Sequence, residues 1–337
     1  MTARRPEPYQ PPRLGQLAPE QALRRLDLTI NRRLDGLLQG DYQGLIPGPG
    51  SDPAEARLYT IGDDVRRIDW NVTARTTQTH VRDLIADREL ETWLLVDLSP
   101  SMEFGTALYE KRDLAIAAAA SVGFLAARGG NRIGCRALLP DGTRLVPARP
   151  GRQHLLALLR MLLGTRRTTT QSAGLPADRS GSGTRTELAD ALAGLVTTQR
   201  RRGLSVVISD FLGVEVGTPT WEAPLRRLAA RHQVLAVEIV DPRELTLPDV
   251  GMLTLVDPET GRRREVRTSR SVRERYAAGA LAQRRATRDA LRRAGAGHLR
   301  LSTDADWVRD VARYVLQHRR LAYQQPGLGR RLTEAPR

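Results

Sequence analysis

Thr92-Trp93-Leu94-Leu95-Val96-Asp97-Leu98-Ser99-Pro100-Ser101-Met102 is the stretch on which the reading of this 337-residue chain turns. Trp93 to Val96 is an unbroken apolar run that stops at a carboxylate, with none of the alternation expected of a strand that wets one face. A strand buried on both faces has this pattern, and parallel sheets are built from such strands. Two later runs repeat it: Leu204–Ser209 ends at Asp210, and Val234–Val240 ends at Asp241. Helical spacing fills the intervals at Glu110–Ala127, Arg152–Leu163, Glu187–Arg202, Trp221–Arg231, Ser271–Arg293 and Ala305–Arg319, and Gly129-Gly130 stops the first of these. His298–Leu301 reads as a last strand. Arg132–Leu139 and Thr143–Ala148 flank the turn Pro140-Asp141-Gly142 as a hairpin, and a second hairpin surrounds Asp257-Pro258-Glu259-Thr260-Gly261. Strands alternating with helices predict an α/β fold: a doubly wound, mostly parallel, Rossmann-like sheet with helices on both faces.

Around this body the chain divides by composition. Residues 1–18 carry Pro6, Pro8, Pro11 and Pro12 and read as a disordered leader. Residues 19–91 form a small N-terminal helix and β-rich extension. Pro19 suits the first helical position, Leu23, Leu26, Ile30, Leu34 and Leu37 follow at helical spacing, and Gly40 is a stop. Short strand-like runs lie at Arg57–Ile61 and Thr79–Ile85. The α/β body covers 92–320, with its basic helices at the C-terminal end, and 321–337 reads as a disordered tail. Gly164–Gly183, rich in Thr, Ser and Gly, is a loop within the body.

Composition excludes several classes. A lone cysteine, Cys135, permits neither an intramolecular disulfide nor a cysteine-based zinc cluster, and reads as a small buried apolar residue. The longest apolar stretch, Ala115–Ala127, is too short and too alanine-rich to span a bilayer, and the N-terminus lacks a signal core. The expected compartment is the cytoplasm. The formal net charge of +15 is concentrated: from Arg262 to Arg337, 20 arginines face 7 acidic residues, whereas the rest carries 33 basic and 31 acidic groups. A basic C-terminal region on a balanced body is a poor match to a general nucleic-acid binder. Lys111 is the sole lysine among 53 basic residues.

In open α/β sheets, ligands bind outside the carboxyl ends of the strands. There the chain places Asp97-x-Ser99-x-Ser101, then Thr184 and Thr186 at the start of a helix, then Ser209-Asp210. Alternate residues of a tight loop can converge on one point. A shell of carboxylates and hydroxyls suits Mg²⁺ or Mn²⁺, with waters completing the octahedron. An aspartate at a strand end also caps backbone amides in many α/β proteins, so the tripeptide pattern alone is weak.

Asp97-x-Ser-x-Ser with a later Thr and Asp resembles the metal-ion-dependent adhesion site of von Willebrand factor A (vWA) domains. Upstream, Tyr59-Thr60-Ile61-Gly62-Asp63-Asp64-Val65-Arg66-Arg67-Ile68-Asp69-Trp70, then Thr73-Ala74-Arg75 and Val81-Arg82-Asp83, resembles the signature of the DUF58 family, bacterial vWA-like proteins often found alongside MoxR-type AAA+ ATPases. The resemblance covers about Gly40 to Asp241. It implies that Asp97, Ser99 and Ser101 are metal ligands, that Thr186 rather than Thr184 is the ligating threonine, and that Asp210 acts directly or through a water. It further implies a non-enzymatic, metal-assisted protein-binding module whose partner is a MoxR-type ATPase or its client. The segment Gly50–Arg57 is looser than the family pattern, and an extracellular adhesion role is not expected without a flanking anchor. Gly62, Asp63, Asp64, Arg66, Asp69, Trp70 and Arg75 have a simpler explanation as a turn with ion pairs, in which Ile68 and Trp70 pack.

Catalytic signatures are missing. There is no GxSxG elbow, and Lys111 follows no glycine-rich phosphate loop. Gly48-Pro49-Gly50 begins a dinucleotide fingerprint, but Pro53 stands where its third glycine belongs. The five histidines have no HExxH spacing. An Asp97-dependent phosphohydrolase is one rival reading, although Ser99 occupies the position where such chemistry wants a proton-donating acid. Nucleic-acid or acidic-surface binding through Arg262–Arg293 is another, although Tyr276 is the only aromatic interleaved there and stacking platforms are scarce.

Overall fold

The computed structural model describes residues 14–34, 56–59, 68, 70–76, 78–82, 91–167, 187–212, 217–256 and 262–324. Its centre is a six-stranded sheet made of β3 (Glu91–Asp97), β4 (Arg132–Leu139), β5 (Gly142–Arg149), β6 (Gly203–Ser209), β7 (Gln233–Val240) and β10 (Gly297–Ser302). The spatial order is β10-β7-β6-β3-β4-β5, parallel throughout except for the β4–β5 hairpin at one edge. Strands β3, β6 and β7 are buried on both faces, as their unbroken apolar runs require.

Chain order sets the key position. From β3 the chain crosses to β4 on one side, then returns to lay β6 on the other side and continues outward to β7 and β10. The winding direction reverses at β3 and β6. The crevice beyond their carboxyl ends is therefore the topological switch point, where such sheets bind ligands.

Helices cover both faces. On one side α3 (Lys111–Arg128), α4 (Arg152–Leu163) and α8 (Trp307–Gln324) pack on Leu94, Val96, Val206, Ile208, Val237 and Ile239. Helix α3 is buried along nearly its whole length, which explains an apolar pattern with almost no polar stripe. On the other side α5 (Leu188–Thr198), α6 (Glu222–Ala229) and α7 (Arg270–Arg293) enclose Trp93, Leu95, Val207 and Ala236. Helix α1 (Pro19–Thr29) starts at the expected proline, and a π-helical turn, Ile30–Leu34, extends it. Its Leu23, Leu26, Ile30 and Leu34 enter the same core as α3 and α4, so the N-terminal helix is part of the body. Small satellites complete the chain: α2 (Trp70–Thr76), the antiparallel pair of β1 (Ala56–Leu58) with β2 (His80–Arg82), and the hairpin of β8 (Met252–Val256) with β9 (Arg263–Arg267).

Two boundaries differ from the sequence expectation. The leader is ordered from Leu14, where a 3₁₀ turn Leu14–Gln16 buries the leucine against the core. Helix α8 continues past the expected start of the tail to Gln324. Gly40 and the 164–183 loop beyond Arg167 lie outside the described residues.

Gly134 on β4 is paired with Trp93 on β3, and a Cβ there would stand 2.8 Å from the buried indole ring. Gly134→Ala ordinarily gains a little by restricting the unfolded chain. Here overpacking outweighs that gain, and a cost of about 1–3 kcal/mol is expected. At about 2–4 °C per kcal/mol for a domain of this size, the melting temperature should fall by several degrees in thermal unfolding. An unchanged or raised midpoint would contradict the packing described.

Candidate metal centre

Three adjacent parallel strands end in the same local device. Asp97 closes β3, Asp210 follows β6, and Asp241 follows β7. Each aspartate accepts a hydrogen bond from the amide two residues on: Ser99 N to Asp97 Oδ1 at 3.0 Å, Leu212 N to Asp210 Oδ1 at 3.0 Å, Arg243 N to Asp241 Oδ1 at 2.9 Å. The short acidic side chain stands in for a missing ladder partner as the chain leaves the sheet. The amide-capping role of a strand-end aspartate is therefore real at all three positions. What separates them is the remainder of each environment.

Asp241 is fully compensated. Thr106 donates through both its amide and its hydroxyl, and Thr303 adds a hydroxyl at 2.7 Å. Burial works against its charge, yet these bonds hold the carboxyl below the usual range. It fastens the loop after β3 to β7 and β10.

Asp210 is neutralised by an ammonium. Lys111, the first residue of α3, is 1% exposed and puts Nζ 2.8 Å from Asp210 Oδ2 and against Glu244. Arg284 of α7 then ties Glu244 at 2.8 Å to Glu238 at 2.7 Å and donates to the Asp210 carbonyl, while His298 donates to Glu238 at 2.9 Å. Burial opposes the charge on Lys111, but the carboxylates of Asp210 and Glu244 outweigh it and raise its pKa. Phe211, next to Asp210, adopts a left-handed conformation at φ 53° and is held by the edge-on ring of Trp221 at 5.2 Å. This strained turn re-aims the chain immediately after the carboxylate.

Among the described residues Asp97 pairs with no such cation. Besides the Ser99 amide, the Ser209 hydroxyl, at 2.7 Å, and the Ser99 hydroxyl stabilise its charge, although it is 4% exposed. Burial and then the negative charge of Asp210 push its carboxyl up to about 6. Beside it, Ser99 begins a 3₁₀ turn with Pro100 at the first position, and the turn brings Ser99 Oγ to 3.2 Å from Ser101 Oγ. Oxygens on adjacent corners of a Mg²⁺ octahedron, at bond lengths of about 2.1 Å, also stand about 3 Å apart. The structure therefore brings Asp97, Ser99 and Ser101 together with Ser209 and leaves one carboxylate poorly compensated. That donor set fits a hard divalent cation. Among the described residues no three His, Cys, Asp or Glu side chains gather as a metal group, so hydroxyl oxygens would have to supply much of the shell.

The remaining expected site residues divide between seen and unseen. Thr184 and Thr186 lie outside the described residues, as do Gly62, Asp63, Asp64, Arg66 and Asp69. Of the upstream signature, Arg75 is exposed, and Trp70 is 69% exposed at the start of α2, so its expected packing is not found. Sequence reasoning placed Ser209 at a strand end without its bond to Asp97, noted Lys111 only as the sole lysine, and missed Glu238, Glu244 and Arg284 altogether. The available signal was Lys111, the one ammonium in a chain whose other 52 basic residues are arginine. Part of the basic C-terminal stretch is paired within the protein: Arg270 to Glu274, Arg273 to Asp249, Arg284 to the buried network, Arg292 to Asp289 and Arg293 to Glu222. Histidines 80, 154 and 318 hydrogen-bond nearby backbone carbonyls, and Cys135 is buried with its thiol pushed up to about 12.

A raised carboxyl pKa gives a definite pH dependence. The folded-state value of about 6 exceeds the ordinary 3.8, so the metal-free fold is favoured by protonation of Asp97, and that advantage disappears as pH rises from about 4 through 6. In chelator, wild type should gain stability relative to Asp97→Asn as pH falls from 8 to 5, by at most a few kcal/mol at 1.36 kcal/mol per unit. Parallel pH profiles of melting temperature for the two proteins would contradict this environment for Asp97.

Comparison with known proteins places the chain. It is 51% identical to an uncharacterized protein of Mycobacterium tuberculosis over 301 residues, covering 89% of each chain. It is 41% identical to an uncharacterized Mycobacterium avium protein over 175 residues, covering 52% of this chain and 94% of that one. Among solved structures it is similar to the conserved hypothetical protein BatB from Bacteroides thetaiotaomicron, with a TM-score of 0.38 at 14% identity over 68% of this chain and 99% of that one. It is similar also to a von Willebrand factor type A structure from Catenulispora acidiphila, with a TM-score of 0.35 at 11% identity over 72% of this chain and 43% of that one. The family model described as "Protein of unknown function DUF58" matches residues 55–286, and the chain belongs to that family.

Proposed function

We propose that this protein is a metal-assisted protein-binding module without catalytic turnover, working with a MoxR-type AAA+ ATPase, or with its client, in the assembly or maturation of protein complexes. The observation that carries the reading is the convergence of the Asp97 carboxylate with the Ser99 and Ser101 hydroxyls at the switch point of the sheet. Asp97, Ser99 and Ser101 would hold Mg²⁺ or Mn²⁺, with the threonine of the 184–186 segment as the further expected ligand. A bound divalent ion would offer an electrophilic position that an acidic side chain of a partner can complete. The MoxR association comes from the family resemblance, and the metal edge is the surface through which it would act.

The protein's own groups fit binding better than turnover. Both oxygens of Asp97 are engaged by Ser99 N and by the Ser209 hydroxyl, which makes a poor nucleophile. Ser99, two residues on, supplies no acid to protonate a leaving group. Around the edge stand Phe104, Leu108 and Leu212, each at least 40% exposed, on the loops that carry the serines and Asp210. Such side chains suit contact with another protein surface. No helix among the described residues is long and apolar enough to cross a membrane.

Two outcomes are expected. Mg²⁺ or Mn²⁺ at about one hundred times its Kd should stabilise the fold by about 2.7 kcal/mol, a shift of roughly 5 °C or more, and Asp97→Ala should abolish the shift. Equal shifts in both proteins would remove Asp97 from the site. Calorimetry with a MoxR-type ATPase from the same organism should give binding that EDTA and Ser99→Ala both weaken at least tenfold. Binding indifferent to both would show that this edge is not the contact surface.

A further inference from the structure

Lys111 sits where elementary electrostatics would not put a cation. It is the first residue of α3, where the helix macrodipole already concentrates positive charge, and it is 1% exposed. Burial of an ammonium carries a desolvation cost that only close carboxylates offset. Asp210 at 2.8 Å and Glu244 provide that compensation. An ammonium is a compact point charge that can seat between two carboxylates, whereas the planar guanidinium used at the other 52 basic positions spreads its donors in a fork. This one position therefore has a physical reason to remain lysine.

The neighbourhood shows what the ammonium does. Asp210 spends one oxygen on the Leu212 amide and the other on the Lys111 ammonium, a cation that competes with a metal ion for that carboxylate, whereas the donors to Asp97 are neutral. Arg284 balances Glu238 and the second oxygen of Glu244. Three carboxylates thus face two fixed cations within the network, and the Asp97 carboxylate beside it raises the excess of carboxylates over Lys111 and Arg284 to two. A single divalent ion would neutralise that excess. Asp241 stands apart from this balance, since hydroxyls and amides satisfy it.

We propose that Lys111 is the built-in counter-cation of the metal centre: it occupies Asp210, keeps that carboxylate out of direct ligation, and so holds divalent affinity low until a partner's acidic group completes the shell. The proposal rests on the metal-binding reading and adds the residue that sets its affinity. By linkage, a partner that needs the ion must tighten the ion's binding by the same factor. Lys111 is a positioning residue, acting through Asp210.

The test is titration calorimetry with Mn²⁺ alone on the full chain. Lys111→Met keeps the length of the side chain and removes its charge. It should lower the melting temperature in chelator, since two carboxylates lose their partner, and at the same time tighten Mn²⁺ by at least about tenfold, equivalent to 1.4 kcal/mol. Adding Asp210→Asn to Lys111→Met should cancel the gain. A merely structural lysine would lose stability with no gain in affinity, and that result overturns the proposal. If wild type binds Mn²⁺ and the variant binds no more tightly, the metal reading stands and the role of Lys111 falls. If neither protein binds, both fall. Should Lys111→Met fail to fold, wild type still decides the matter, because ¹⁵N-lysine labelling of an untagged chain gives one side-chain resonance. Saturating Mg²⁺ should leave that ammonium in slow, buried exchange on Asp210. Its release into fast solvent exchange would show that the metal displaces it.

Discussion

Charge burial at one edge of the sheet constrains the rest of this structure. Asp97, Asp210, Glu238 and Glu244 are drawn together at the carboxyl ends of β3, β6 and β7, three of them at most 4% exposed. Carboxylates taken out of water must find donors or cations, or lose their charge. Each local feature of the edge answers that demand. Lys111 is recruited from the first turn of α3, Arg284 reaches across from α7, and His298 donates from β10. Among these four, Asp97 alone has only neutral donors among the described residues, and it is the carboxylate that stands beside a pair of serine hydroxyls.

The fold makes this crowding possible. A doubly wound sheet turns its winding at β3 and β6, so the loops after those strands part and leave a crevice between them. Helix α3 runs under the sheet with its first turn beneath that crevice, and its almost entirely apolar body leaves Lys111, Arg112 and Asp113 as the charged residues buried in it. Asp241 completes the arrangement by pinning Thr106 and Thr303, which fixes the loop carrying Ser99 and Ser101 against β7 and β10. The donors are held on rigid elements and short braced turns, the condition for a site that need not reorganise when it is filled.

Much of this was legible in the sequence because strand burial writes a continuous signal. The runs Trp93–Val96, Leu204–Ile208 and Val234–Val240 marked three central strands, and the aspartates that end them marked the edge that matters. The hairpins and the long helices α3 and α7 were equally plain from spacing and glycine stops. The charge network was not legible. Lys111, Glu244 and Arg284 are 40 to 173 residues apart in sequence and meet only because α3, β7 and α7 are brought to one edge, a long-range pairing that no local pattern encodes. Ser209 was visible as a strand-end hydroxyl, but its bond across to Asp97 on the neighbouring strand was not. The exposed Trp70 reversed an expectation of packing because a large aromatic in sequence says nothing about which neighbours reach it.

Anomalous diffraction from a crystal of the full chain grown with Mn²⁺ tests the central claim most directly, since it locates the ion without any variant. One strong peak is expected at the carboxyl edge within about 2.5 Å of an Asp97 oxygen and of the Ser99 and Ser101 hydroxyls, with Lys111 still on Asp210. No peak there at millimolar Mn²⁺, or a peak whose ligands exclude Asp97 and both serines, would contradict the claim.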